Sequence, residues 1–232
     1  MDRRSLFRTG AAVAVAGAGA AMTTPAHAQQ RDRLRVHVLV FDGADDLDFV
    51  APNEVFQHAG HFGARIESTF VTGGEPGTVA SAFGTRVEAA GWSPRDTDLI
   101  VVAGGGYGKP ADQPGVPAEI RRGHLPAVLR DARRPGLTLA SVCTGAMLLS
   151  AAGITRNRPC TTHHQAIADL EAQGGRITRG RVVDDGDLVT AGGVTSGLDL
   201  ALWLVERHFG ADVALGVESV LEYERRGTIW HR

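Results

Sequence analysis

Ser141-Val142-Cys143-Thr144-Gly145 is the segment whose residue types best support chemistry, because it places a thiol where an apolar run ends and a second one begins. Leu137 to Val142 has the apolar character of a buried strand, and Ala146-Met147-Leu148-Leu149 that of a helix buried on every side. A strand turning sharply into a helix with a nucleophile at the junction is a nucleophile elbow. The helix N-terminus supplies unpaired N–H groups and a partial positive charge, both of which favour a thiolate. The competing description is a buried cysteine acting as a small hydrophobe. The polar Ser-x-Cys-Thr-Gly context at the tip of an apolar strand favours a reactive thiol.

Three other segments carry polar groups to comparable places. Gly104-Gly105-Gly106 follows the strand-like Leu99–Ala103 and allows backbone N–H groups to approach an oxyanion. It has neither dinucleotide-fingerprint spacing nor a following P-loop lysine. Asp45, Asp46 and Asp48 follow the first strand, Arg35 to Phe41, and Pro52 suggests a helix starting beyond them. That leaves Asp48 in the loop at the strand end. Asp45 and Asp46 fit a solvated turn, and Asp48 fits either that or a carboxyl facing the thiol, where desolvation would make it an acid. Thr161-Thr162-His163-His164 could bring a histidine to the thiol, although a packing or capping role is the plainer expectation. No C-x-x-C or H-E-x-x-H occurs, and Asp184, Asp185 and Asp187 lack the closing Glu of a calcium loop, so no metal is expected. Cys143 and Cys160 are the two cysteines, and an oxidising compartment would let them pair.

The elements that must position these groups follow from the pattern. Arg65 to Val71 is strand-like, Pro117 to Arg133 helical, and Val182 to Thr190 a hairpin about Asp185-Gly186. Thr195 to Phe209 is an amphipathic helix, and Asp212 to Arg225 another. Strands alternating with helices give an α/β domain, flavodoxin-like, with a largely parallel sheet covered by helices on both faces. In such sheets ligands gather at the carboxyl ends of the strands, where the Ser141–Gly145, Gly104–Gly106 and Asp45–Asp48 segments fall. The domain spans 33–228 of 232 residues. A formal charge of −2, with no basic helix, excludes a broad nucleic-acid surface.

Residues 1–28 form an address rather than part of the fold. Arg3-Arg4-Ser5-Leu6-Phe7-Arg8, a weakly apolar Ala/Gly run and Ala26-His27-Ala28 match a twin-arginine export signal with its cleavage site. The expected location is therefore periplasmic or extracellular, with no stable membrane association once the signal is removed.

Phe41 to Phe56, Ala103 to Gly106, Ser141 to Gly153 with Thr161-Thr162-His163, and Thr190 to Asp199 together resemble the ThiJ/PfpI superfamily, relatives of class-I glutamine amidotransferases. Within it the chain is most similar to the isonitrile (isocyanide) hydratase branch, through Leu47-Asp48, Cys143-Thr144 and Ala191-Gly192-Gly193-Val194-Thr195-Ser196-Gly197. The resemblance implies Cys143 as nucleophile and Asp48 as its acid–base partner. It implies backbone N–H donors at Gly105 and Thr144, with Gly106 and His163 lining the substrate. It also implies a small-molecule substrate, no cofactor and a homodimer. Proteases and glyoxalases of the superfamily carry His directly after the cysteine, where this chain has Thr144, and deglycase-type members carry Glu where it has Asp48. The same domain also forms part of AraC-type regulators, a use that requires a helix-turn-helix region after it. Two further expectations stay open: an exported redox-sensing protein in which Cys143 oxidises to the sulfinic acid, and a non-catalytic binding module.

Overall fold

The computed structural model describes residues 33–232; the expected export signal over residues 1–28 lies outside them. The order of elements is β1 (Leu34–Leu39), α1 (Asp46–His61), β2 (Ile66–Val71), β3 (Gly77–Ala80), β4 (Arg86–Ala89), β5 (Leu99–Val102), α2 (Val116–Arg122) and α3 (His124–Ala132). It continues through β6 (Thr138–Ser141), α4 (Gly145–Ala151), β7 (Pro159–Cys160), α5 (Ile167–Ala172), β8 (Arg176–Ile177), β9 (Val182–Asp184), β10 (Leu188–Ala191), α6 (Ser196–Phe209), α7 (Ala211–Leu221) and β11 (Ile229–His231).

Seven strands form one sheet in the order β11-β9-β10-β6-β5-β1-β2. The β9–β10 pair is antiparallel, as its Asp185-Gly186 hairpin requires, and the other pairings are parallel. Every residue of β5, β6 and β10 is buried, which is how parallel strands covered on both faces read. Helices α1, α6 and α7 pack together, as do α2, α3, α4 and α5, giving the flavodoxin-like layering of helices on both faces. The Phe49 ring meets Phe70 of β2 edge-on at 5.5 Å and fixes α1 against the sheet edge. Burying Phe49, Val55 and Phe56 contributes about 1.5–3 kcal/mol each.

Three local expectations are corrected. Pro52 does not start α1 but lies inside it, and the helix begins six residues earlier with Asp45 as N-cap, its carboxyl accepting the Leu47 N–H. Its ring lies over Gly197 of α6, where a Cβ would come within 3.2 Å of it. The single helix expected over Pro117–Arg133 is two, broken at Gly123 in the left-handed conformation (φ 75°). The sheet also runs beyond residue 228, because Ile229–His231 pairs with β9.

The strands β10, β6, β5 and β1 are consecutive in the sheet, so their four carboxyl-end turns lie side by side. Asp48, Gly104–Gly106, Cys143 and Val194 come from those turns. Among the described residues, no helix is long and apolar enough to cross a membrane.

Candidate active site

Asp48 is the third residue of α1, not a loop residue, and its side chain is fully buried. The start of α1 is tied to the β5 turn twice. The Asp45 N–H donates to the Gly104 carbonyl (2.9 Å), and the Gly104 N–H donates to Asp48 Oδ2 (2.9 Å). The other carboxyl oxygen, Oδ1, is buried without a hydrogen-bond partner, and the Cys143 thiol lies close enough to the carboxyl to favour its ionised form. Burial first, and the charge of Asp45 second, push Asp48 up to about 8, against the opposing effects of the Gly104 N–H and the thiol. Asp48 therefore holds its proton at neutral pH.

Cys143 has φ 54°, the left-handed conformation that a sharp strand-to-helix turn imposes. Its backbone is pinned at both ends: its N–H donates to the Gly192 carbonyl (2.8 Å), and its carbonyl accepts from Thr162 Oγ1 (2.8 Å). The side chain is 6% exposed. Burial, then the neighbouring Asp48, push the thiol up to about 12, while the N–H groups of Val194 and Thr144 pull it down. Burial thus leaves both acids protonated at neutral pH and side by side, where a proton can pass between sulfur and carboxyl.

Close backbone approach explains two glycines. A Cβ on Gly104 would stand 2.5 Å from the Thr144 nitrogen, and one on Gly145 would stand 2.2 Å from the Val102 carbonyl oxygen. Side chains there would push the β5 turn and the elbow apart.

The remaining expected residues are placed as follows. Thr144 is buried beside the thiol and offers its N–H to sulfur. The Gly105 N–H, expected as an oxyanion donor, is already committed to Thr144 Oγ1 (3.0 Å), so Gly105 fixes the threonine rather than facing a ligand. Gly106 packs on Pro114 and Gly115. The His163 ring lies against Gly193, its Nδ1 accepts the Gln165 N–H (3.3 Å), and its electrostatic partners are His164 and Asp45 rather than the thiol. Asp45 and Asp46 are half-buried and engaged: Asp45 as helix cap, Asp46 accepting from Ser81 Oγ (2.9 Å). Both cysteines are free.

Val194 was not anticipated as a site residue. It follows β10, has φ 44°, and its backbone N–H lies close enough to sulfur to pull the thiol down. A β-branched residue in that conformation is strained by about 1–3 kcal/mol and persists only where its surroundings hold it. The signal available in sequence was the strand-to-helix turn Gly192-Gly193-Val194-Thr195, matching in kind the turn that carries Cys143. Among the described residues, no group of three or more His, Cys, Asp or Glu side chains is arranged to hold a metal.

A buried cysteine on a nucleophile elbow, facing a buried carboxyl at the carboxyl ends of a parallel sheet, defines a class of cysteine-centred α/β proteins. The chain belongs to the DJ-1/PfpI family, whose sequence pattern matches residues 34–207. It is 42% identical over 85 residues to isonitrile hydratase of Pseudomonas putida, a stretch covering 37% of either chain. It is 28% identical over 131 residues to the HTH-type transcriptional regulator GbdR of Pseudomonas aeruginosa, covering 55% of this chain and 33% of the regulator. The matched stretches thus span about a third of each of these two relatives. A ThiJ/PfpI family protein from Pseudomonas syringae superposes with a TM-score of 0.73 at 24% identity, over 85% of this chain and 78% of that one, which shows the common fold.

Proposed function

We propose that the chain is a cysteine-dependent, isonitrile hydratase-like enzyme that adds water to an isocyanide carbon to give an N-substituted formamide. The observation that carries this reading is the buried carboxyl of Asp48, protonated at neutral pH and in reach of the Cys143 thiol. An isocyanide carbon needs a nucleophile and a proton at the same atom, and this pair supplies both.

Sulfur attacks the terminal carbon of R–N≡C as Asp48 delivers its proton to that carbon and takes the thiol proton in exchange. The product is a thioimidate, Cys143–S–CH=N–R. Water then adds to the same carbon: Asp48 accepts a proton from the water and returns one to nitrogen, giving Cys143–S–CH(OH)–NH–R. Collapse breaks the C–S bond, releases R–NH–CHO and restores the thiol. The net reaction consumes one isocyanide and one water. The Val194 and Thr144 N–H groups support negative charge on sulfur as it forms and as it leaves. The scheme calls for no cofactor. Export through residues 1–28 and assembly as a homodimer belong to the same reading, the first from the twin-arginine pattern and the second from the family resemblance.

The test is formamide production from a simple alkyl or aryl isocyanide, with reduced protein near pH 7 and Cys143→Ala alongside. Turnover that disappears in the variant supports the reading. No turnover from protein whose Cys143 is shown reduced by mass spectrometry contradicts it, and directs attention to oxidation of Cys143 or to ligand binding alone.

A further inference from the structure

The strained Val194 needs a restraint, and the candidate is a residue outside the elbow. Arg181 lies just before β9 and brackets the 192–195 turn from both ends. Its backbone carbonyl accepts the Gly192 N–H (3.0 Å), and its guanidinium donates through Nη2 to Thr195 Oγ1 (2.8 Å). Thr195 is the N-cap position of α6, where a threonine hydroxyl ordinarily accepts a backbone N–H of the first turn. Here it makes no such cap bond and serves the arginine instead.

The arginine is itself held in place. Its Nε bonds Asp199, a residue of the first turn of α6 that is 1% exposed. Asp199 is satisfied on both oxygens: Oδ1 accepts the Arg226 N–H (2.7 Å), and Oδ2 also accepts the Tyr223 hydroxyl (2.9 Å). The Arg181 N–H donates to the Thr228 carbonyl (3.2 Å). A carboxylate this deep requires such donors, and together they leave the guanidinium little freedom. The turn so clamped holds Cys143 directly, because the Gly192 carbonyl accepts the cysteine N–H (2.8 Å), and it brings the Val194 N–H near enough to sulfur to pull the thiol down.

We propose that Arg181, anchored by Asp199, is a positioning residue for Cys143: by gripping Gly192 and Thr195 it keeps the Val194 N–H on the thiol. The inference rests on Cys143 being the reacting thiol and is independent of what the thiol attacks. Its test therefore reads the sulfur directly, without an isocyanide.

The experiment measures the rate at which iodoacetamide alkylates Cys143 at fixed pH, followed by peptide mass, in the parent protein and in Thr195→Val, Thr195→Ser and Arg181→Lys, with thermal unfolding of each. Thr195 is exposed, so its valine variant keeps the fold and removes only the hydroxyl that Arg181 grips. Thr195→Val is expected to slow alkylation roughly threefold to tenfold, as a thiolate loses part of a charge-assisted hydrogen bond. Thr195→Ser is expected to restore the parent rate. Arg181→Lys is expected to slow it too, since one ammonium cannot serve Asp199 and Thr195 in the fork geometry. A clamp with a purely structural role predicts the opposite sign, because loosening the turn exposes sulfur and speeds alkylation. An unchanged or faster rate in Thr195→Val overturns the proposal, whatever the behaviour of Arg181→Lys.

Discussion

The two cysteines share their burial and differ in the backbone and the carboxyl beside them. Both are buried and free, and burial raises both thiols, Cys143 to about 12 and Cys160 to about 11. Cys160 lies in the two-residue strand β7, pressed so closely on Gly175 that a Cβ there would come within 2.8 Å of its sulfur. Besides burial, it feels the backbone N–H of Arg176 and the charges of Arg158, Asp185 and Arg176. Cys143 has a left-handed backbone, two N–H groups aimed at sulfur and a protonated carboxyl in reach. Burial with a backbone N–H and distant charges leaves an inert thiol. What distinguishes the elbow is a partner that can carry the proton.

The largest effect is expected from removing either member of that pair. Cys143→Ala should lower turnover to background, a loss of about 10³-fold or more. Asp48→Asn keeps the shape and one oxygen acceptor but loses the acid, and should cost roughly 10²- to 10⁴-fold in kcat. The pH dependence tests the same group. The acid form of Asp48 is present below about 8, so turnover should fall as pH rises through that value, and the fall should be absent from the residual rate of Asp48→Asn.

Asp48→Asn should affect stability in the opposite direction to activity. An unfolded Asp48 ionises near its ordinary value of 3.8 while the folded one keeps its proton to about 8, so folding takes up a proton between those limits. Stability from this group is complete below about 4 and declines as pH rises towards 8. Asp48→Asn should therefore raise Tm at pH 7, on the order of 5 °C, and have little effect near pH 4. Thr144→Val deletes the acceptor of the Gly105 N–H and leaves that donor unsatisfied; a loss of about tenfold in kcat with the fold retained is expected. Cys160→Ala is the smallest case: turnover within about twofold of the parent, with a stability cost of about 1 kcal/mol from the space left beside Gly175. A Cys160 variant as inactive as Cys143→Ala would erase the distinction between the two regions.

Most of the sheet and the elbow were legible because parallel strands are short apolar runs and because the thiol lies at the join of two such segments. The position of Asp48 was not. Pro52 resembled a helix start, although Asp45-Asp46-Leu47-Asp48 has the spacing of an N-cap and its third helical residue. The carboxyl then faces Gly104 instead of its own helix because Asp45 gives its N–H to the Gly104 carbonyl, a pairing across 59 residues of chain that no local pattern reveals. Gly105 and Val194 miss in complementary ways. The glycine run suggested N–H groups aimed at a ligand, yet that of Gly105 is taken by Thr144, while Val194 offers one from a conformation its side chain disfavours. Such positions are set by tertiary contacts that override local preference. The break at Gly123 could have been read, since glycine is the usual left-handed residue at a helix end.

The most direct test of the Cys143–Asp48 pair is to locate the bond it forms. Protein mixed with an alkyl isocyanide and quenched within a turnover, in parent and Asp48→Asn forms, would be digested and its cysteine peptides weighed. The account predicts an adduct of isocyanide mass on Cys143 and none on Cys160, with little or no adduct in Asp48→Asn because the carbon is not protonated. Formamide production with Cys143 unmodified throughout, or an adduct on Cys160, would contradict it.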